Sequence, residues 1–140
     1  MKKIMLIGKT GSGKTSLTQM LNNELVGYKK TQSMEFCSNI IDTPGEYIEI
    51  KGYYRALIVT ATECDLIGFV QDATESETLF PPNFAAVLNK PALGIITKTD
   101  LVDNCEHAKE LLEIAGVHEF ICTTTKDNKS VEIIRKILGG

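Results

Sequence analysis

The feature that most constrains this chain is the octapeptide GKTGSGKT at residues 8–15, which follows the apolar run IMLI. Glycines at three of its first six positions let the backbone fold closely around a small anion, so that successive N–H groups point at phosphate oxygens. After it, Leu17, Met20, Leu21 and Leu25 recur at three- and four-residue intervals and predict an amphipathic helix, whose N-terminus adds a positive dipole. Strand, loop and helix in this order predict a phosphate-binding loop rather than a plain connecting turn.

This loop matches the pattern GxxxxGK[ST] in full and therefore predicts nucleoside triphosphate binding with Mg²⁺. Lys14 is expected to reach the β- and γ-phosphates and is the first candidate catalytic residue, and the Thr15 hydroxyl is expected to ligate Mg²⁺. The predicted nucleotide-binding residues of the loop are Gly8, Lys9, Thr10, Gly11, Ser12, Gly13, Lys14, Thr15 and Ser16.

A second motif, DTPG at residues 42–45, follows a short apolar run. Asp, Pro and Gly are all turn formers, so the motif alone is compatible with a β-turn. Downstream of a phosphate loop it predicts that Asp42 lies beside the Mg²⁺ ion and that the Gly45 N–H meets the γ-phosphate. Thr31 precedes Asp42 by 11 positions and is the predicted switch threonine, a third metal ligand.

The segment TKTD at residues 97–100 resembles the base-reading motif [NT]KxD of the small GTPases. The Asp100 carboxylate is expected to accept hydrogen bonds from the N1–H and 2-amino groups of guanine, donors that adenine lacks. The stem of Lys98 is expected to cover the purine ring. Thr97 replaces the commoner Asn and is expected to lose an amide that braces the phosphate loop. Thr124 and Thr125 are expected to contact the base through their backbone.

Apolar runs of strand length alternate with helical patterns along the 140 residues, which form one predicted domain, 1–140. This alternation predicts an α/β fold: the three-layer P-loop NTPase fold with a mostly parallel six-stranded sheet and helices on both faces. Residues 31–36 and 39–41 read as two strands joined by a tight turn at Cys37-Ser38. Such a turn cannot cross over to a parallel neighbour, so the strand at 31–36 is expected to be an antiparallel edge strand.

Composition excludes several functions. A net charge of −3 provides no positive field for nucleic acid or an anionic membrane. The four cysteines lack the paired spacing of a zinc site and are expected to be reduced thiols of a cytoplasmic protein. The apolar run before Gly8 is too short for a signal peptide or a membrane span.

Beyond the GTPase motifs, the chain resembles the EutP/PduV family of bacterial P-loop proteins. The resemblance rests on GKTGSGKTSL at 8–17, IDTPGEY at 41–47, YYRALIVTA at 53–61, LIGFVQDATE at 66–75 and GIITKTDL at 94–101. It implies GTP/GDP binding with Mg²⁺, a role in ethanolamine or propanediol utilisation, and a partner in a bacterial microcompartment shell or in the pathway itself. Residues 61–75 favour the ethanolamine member.

The sequence leaves the reaction open. Ras-like hydrolases use a Gln after the DxxG glycine to orient water. Glu46, the second candidate catalytic residue, stands there, and Arg55 and Arg135 are the only arginines. Slow hydrolysis is therefore expected. One hypothesis is a GTP-dependent switch. The alternative is a phosphotransferase that uses ATP/ADP and passes phosphate to an acceptor such as acetate. A purely structural nucleotide binder is a third.

Overall fold

A parallel β-sheet organises the chain in the computed structural model, which describes residues 2–28, 40–123 and 129–139. All neighbouring strands of the sheet run parallel, and their order is β2-β1-β3-β4-β5. The strands are β1 (Ile4–Ile7), β2 (Ile40–Asp42), β3 (Leu66–Asp72), β4 (Ala92–Thr97) and β5 (Phe120–Cys122).

The described strands agree with the predicted parallel α/β sheet. Residues 31–36, predicted as an antiparallel edge strand, and the turn at Cys37-Ser38 lie outside the described residues. The third strand is longer than its apolar run predicts, because it continues through Gln71 to Asp72. Those two polar residues are buried, so the strand carries them to the carboxyl edge of the sheet without breaking its hydrogen bonds.

Helices cover both faces of the sheet. They are α1 (Lys14–Tyr28), α2 (Glu46–Glu49), α3 (Tyr54–Ala61), α4 (Phe84–Leu88), α5 (Glu106–Ile114) and α6 (Lys129–Ile137). Alternation along β1 shows the two layers: Met5 and Ile7 belong to the core beneath α3, α4 and α5, whereas Ile4 and Leu6 belong to the core beneath α1 and α6. Both cores are apolar, which fixes the helices against the sheet.

The strand order places the candidate site. The chain leaves β1 towards β2 on one side, and β3 pairs with the other side of β1. In open parallel sheets, ligands bind at the carboxyl ends of the strands where the order reverses in this way. The phosphate loop follows β1, Asp72 ends β3 and Thr97 ends β4, so all three reach the same edge.

None of the helices in the described ranges is long and apolar enough to span a membrane.

Candidate nucleotide-binding site

The loop between β1 and α1 has the backbone that its glycines predict. Gly11 and Gly13 have φ angles of +85° and +96°, which L side chains rarely adopt. A β-carbon on Gly13 would also lie 3.2 Å from atoms of the Thr97 side chain, and one on Gly8 would lie 2.9 Å from the Val70 carbonyl oxygen. The loop can therefore curl at the N-terminus of α1 and lie close to β3 and β4.

Lys14, expected at the phosphates, and Asp42, expected beside Mg²⁺, are in direct contact. The Lys14 ammonium donates hydrogen bonds to Asp42 Oδ1 at 2.7 Å and to the Thr43 carbonyl at 2.6 Å. Lys14 is 6% exposed, and the buried Thr43 is held by a hydrogen bond from its hydroxyl to the Leu6 carbonyl. The lysine and the DTPG turn thus form one wall of the site.

The phosphate side of the site is an open cavity of about 640 Å³. Its lining combines the phosphate loop, the DTPG turn and Lys98, and comprises Lys9, Thr10, Gly11, Gly13, Lys14, Thr15, Ser16, Asp42, Thr43, Pro44, Gly45 and Lys98. Three lysines, the glycines of the loop and the N-terminus of α1 line this space, a combination that suits a polyphosphate.

The residues here also fit Mg²⁺. Thr15 and Asp42 line the same cavity and supply a hydroxyl and a carboxylate oxygen, the hard donors that this ion prefers. Within the described ranges no cluster of three or more His, Cys, Asp or Glu side chains could hold a metal. Thr31, the third predicted ligand, lies outside the described residues.

Lys98 ties the base-reading motif to the phosphate loop. The residue follows β4 with a φ of +59°, and its ammonium donates hydrogen bonds to the Gly11 carbonyl at 2.9 Å and to Asp72 Oδ2 at 2.8 Å. Lys98 also lines the cavity, so its stem lies between the two motifs. This course is compatible with the predicted cover over a purine ring.

Thr97 lacks the amide of the commoner Asn, as expected, but its hydroxyl holds the phosphate loop instead. The Thr97 hydroxyl donates a hydrogen bond to the Ser12 carbonyl, and its β-carbon and methyl group fill the space beside Gly13. Threonine is shorter than asparagine, but Gly13 lets the loop come close enough for the hydroxyl to reach. The phosphate loop is therefore held by a hydrogen bond from a hydroxyl in place of one from an amide.

Asp100 lies in the wall of a second cavity, of about 230 Å³, that adjoins the first at Gly13, Ser16 and Lys98. Its walls are partly apolar, as a flat base requires. They comprise Gly13, Ser16, Leu17, Met20, Thr97, Lys98, Asp100, Leu101, Thr123, Ser130 and Val131. Sequence reasoning missed Ser130, a buried residue of α6 whose hydroxyl donates to the Cys122 carbonyl. Thr124 and Thr125 lie outside the described residues.

Asp72 is a further site residue that sequence reasoning did not assign. It is buried at the end of β3, where it accepts hydrogen bonds from Lys98 and from the backbone and hydroxyl of Thr74. Burial opposes its ionisation, but these hydrogen bonds outweigh burial and the pKa of Asp72 is lowered. A carboxylate directly after an apolar strand, the signal that singled out Asp42, could also have identified Asp72.

Glu49, rather than the predicted Glu46, contacts the phosphate loop. Sequence reasoning did not identify Glu49. The Thr10 N–H donates a hydrogen bond of 2.8 Å to Glu49 Oε2. The Glu46 side chain is exposed and forms no hydrogen bond with the described residues. Gly45 lies between the two segments, since a β-carbon there would overlap the Thr10 backbone nitrogen. The geometry therefore does not bring the predicted catalytic Glu46 to the loop.

A parallel sheet in this order, with a glycine loop, a DxxG turn and a base-side motif at one edge, defines the class of P-loop nucleotide-binding domains with the GTPase fold. Two solved structures share this fold. The first is the FeoB G-domain from Methanococcus jannaschii, with a TM-score of 0.64, 22% identity and coverage of 97% of this chain and 94% of that one. The second is the elongation factor SelB from Methanococcus maripaludis in complex with the GTP analogue GppNHp. The latter has a TM-score of 0.61, 21% identity and coverage of 97% and 32%.

A family profile described as "Ethanolamine utilisation - propanediol utilisation" (PduV-EutP) matches residues 1–139. The propanediol utilization protein PduV of Citrobacter freundii is 39% identical over 94% of this chain and 89% of its own length. The "Probable acetate kinase EutP" of Escherichia coli K12 is 36% identical over 85% of this chain and 77% of its own. The chain belongs to the PduV-EutP family. Of these two relatives the propanediol protein is the more similar, so the identities do not favour the ethanolamine member.

Proposed function

We propose that this protein binds GTP and GDP with Mg²⁺ and acts as a nucleotide-dependent switch in ethanolamine or propanediol utilisation. The observation that carries the proposal is the direct connection of the Asp100 segment to the phosphate loop. Thr97 bonds to the Ser12 carbonyl and Lys98 to the Gly11 carbonyl. The base-side and phosphate-side cavities are therefore neighbours that share lining residues. One nucleotide can therefore fill both.

The chain's own residues have separable roles in this proposal. Lys14 neutralises the β- and γ-phosphates, and Thr15 and Asp42 hold Mg²⁺, which offsets phosphate charge when it is bound. Asp100 selects the base: its carboxylate pairs with the two donor groups of guanine, whereas adenine has neither donor at those positions. None of these roles requires rapid hydrolysis, which suits the exposed position of Glu46.

Equilibrium titration of GDP, GppNHp, ADP and AppNHp with Mg²⁺ into the protein tests the proposal. We expect guanine nucleotides to bind at least about 10-fold more tightly than adenine nucleotides, since hydrogen bonds to a charged group contribute about 1.5–3 kcal/mol each. Equal affinity for GDP and ADP would contradict guanine selection. No binding by either pair would contradict the nucleotide site itself.

A second candidate, transfer of the γ-phosphoryl group from ATP to a small carboxylate with release of ADP, has support in the printed name of the Escherichia coli relative. A cavity of about 140 Å³ beside Lys9 and Ser12 could hold a small acceptor, and the Ser12 hydroxyl is buried there with no hydrogen-bond partner among the described residues. Asp72, Glu75 and Glu77 also line it, however, and these carboxylates disfavour an anionic acceptor.

The two candidates differ in product. Incubation with GTP or ATP, with and without acetate, followed by trapping of acetyl phosphate with hydroxylamine, separates them. We expect slow release of inorganic phosphate from GTP that acetate does not change. Acetyl phosphate formed from ATP in proportion to ADP would instead establish the phosphotransferase.

A further inference from the structure

A carboxylate of α2 accepts a hydrogen bond from a backbone N–H of the phosphate loop. Glu49 Oε2 accepts the Thr10 N–H at 2.8 Å, although the two residues are 39 positions apart. Backbone N–H groups of such loops are expected to face phosphate oxygens, so the Glu49 carboxylate takes the kind of partner that an anion would take. Hydrogen bonds from the backbone and the side chain of Thr10, together with the charges of Lys9 and Lys14, lower the pKa of Glu49.

Two residues at this contact, Thr10 and Gly45, line the cavity expected to hold the phosphates. Thr10 packs against Gly45, the glycine of the DTPG turn, so closely that no side chain could be placed there. The Lys14 ammonium binds the Thr43 carbonyl in the same turn. A diphosphate reaches Lys14 through its β-phosphate, whereas a triphosphate carries one more anionic group towards Gly45 and Thr10.

We propose that Glu49 discriminates nucleoside triphosphate from diphosphate, holding α2 to the phosphate loop until a terminal phosphate displaces it. This inference rests on the proposed function, because it requires a nucleotide in the loop. Two anionic groups cannot share the region around Thr10 without repulsion. Binding of the terminal phosphate must therefore break the Glu49 contact, while a diphosphate leaves it in place.

The consequence is a change at α2 and the segment after it. Ile48 is 2% exposed and holds one side of α2 in the core, so the whole helix is not free to leave. Glu49 lies on the exposed side, and Ile50 and Tyr53 after it are also exposed. Tyr47 stacks on Tyr53 with ring centroids 5.0 Å apart, which couples α2 to the start of α3. Release of Glu49 would therefore loosen a partly apolar surface.

The test compares Glu49→Gln with the control Glu63→Gln, which lies between α3 and β3, away from the phosphate loop. Both replace an exposed carboxylate by an amide of the same size, so they change net charge equally. Displacement of a fluorescent GDP derivative by GDP and by GppNHp, with Mg²⁺, gives the preference for triphosphate. We expect Glu49→Gln to raise that preference about tenfold, the scale of one charge pair beside the loop, and Glu63→Gln to change it less than about twofold. ADP and AppNHp are measured in parallel.

Hydrogen exchange provides a second readout that a purely structural role of Glu49 would not move. In the wild type, GppNHp but not GDP should increase amide exchange in a peptide covering residues 46–54. In Glu49→Gln, exchange in that peptide should be raised already with GDP. A peptide covering α5 should be unaffected.

Several outcomes would overturn the inference. Equal shifts in the two variants would attribute the effect to net charge alone. A lower triphosphate preference in Glu49→Gln would show that Glu49 assists the terminal phosphate. A wild-type protein that binds none of the four nucleotides would instead contradict the proposed function, and that failure is visible before any variant is made.

Discussion

The Thr97 hydroxyl at the end of β4 donates a hydrogen bond to the Ser12 carbonyl of the phosphate loop, across 85 positions of sequence. Thr97 is 5% exposed and Ser12 is 1% exposed, so water cannot replace this bond. The contact is the buried link between the part of the site that suits phosphate and the part that suits a base. Its loss should affect both stability and binding.

Thr97→Val keeps the shape of the side chain and removes the donor. The Ser12 carbonyl loses its buried partner, so the free energy of unfolding should fall by about 1–3 kcal/mol in urea titrations. Thr62→Val is the matched control, because the Thr62 hydroxyl bonds within its own exposed turn. It should change stability by less than about 0.5 kcal/mol. Equal losses of unfolding free energy in the two variants would show that the hydrogen bond from Thr97 to Ser12 does not contribute to stability.

Lys14→Ala should nearly abolish triphosphate binding, by about 100-fold or more, because contacts of a charged group with two phosphates are lost. The fold should survive, since Asp42, the partner left behind, reaches solvent with 29% of its side chain exposed. Lys90→Ala, before the amino end of β4, is the control and should bind as the wild type does. Calorimetric titration measures both, and unchanged affinity in Lys14→Ala would refute the phosphate-loop assignment.

Thr15→Ala and Asp42→Asn should weaken binding in Mg²⁺ more than binding in EDTA, because each removes an oxygen ligand of the ion. Thr18→Ala is the control from the next turn of α1, where the hydroxyl bonds to the Lys14 carbonyl. It should preserve the wild-type ratio of the two affinities. A full Mg²⁺ response in both site variants would place the metal elsewhere.

Asp72 should make stability depend on pH. Its pKa is lowered in the folded protein: burial opposes ionisation, but the Lys98 and Thr74 hydrogen bonds prevail. A depressed carboxyl pKa stabilises the fold above the unfolded-state value, about 3.9, and this contribution disappears as pH falls through the lower folded-state value. The stability difference between wild type and Asp72→Asn should therefore be largest near neutral pH and shrink below about pH 4. Urea unfolding across this range measures it, and a difference independent of pH would contradict the role of the charge.

The parts of the fold that follow from local pattern were predictable. Apolar runs and glycines identified the strands, the phosphate loop and the helix after it, and the described strands pair in parallel as expected. The short strand expected at 39–41 is observed at Ile40–Asp42. The four-residue helix α2 was not predicted, because so few positions produce no periodic signal, and its bounds depend on packing against α3.

Contacts within the candidate site were less predictable, because they join residues distant in sequence. The motif identified Thr97 and the loss of an amide there, but not the hydroxyl contact that replaces it, since the closeness of Gly13 to β4 is a tertiary property. Glu46 was selected by its position in a motif, whereas the orientation of α2 brings Glu49 to the loop. Asp72 could have been found, since it is a carboxylate that follows an apolar strand, but Lys98 as its partner could not.

The central claim is that Asp100 makes the site selective for guanine. The most direct measurement is competition of GDP, ADP and XDP against a fluorescent nucleotide, for wild type and for Asp100→Asn. The wild type should prefer GDP. Asp100→Asn should lose GDP affinity and gain XDP affinity, because the 2-oxo group of xanthine accepts a hydrogen bond where the 2-amino group of guanine donates one. The Mg²⁺ dependence should not change, since the phosphate contacts are untouched. A wild type that binds ADP as tightly as GDP, with Asp100→Asn unaltered for all three, would contradict the account and favour the ATP-dependent phosphotransferase.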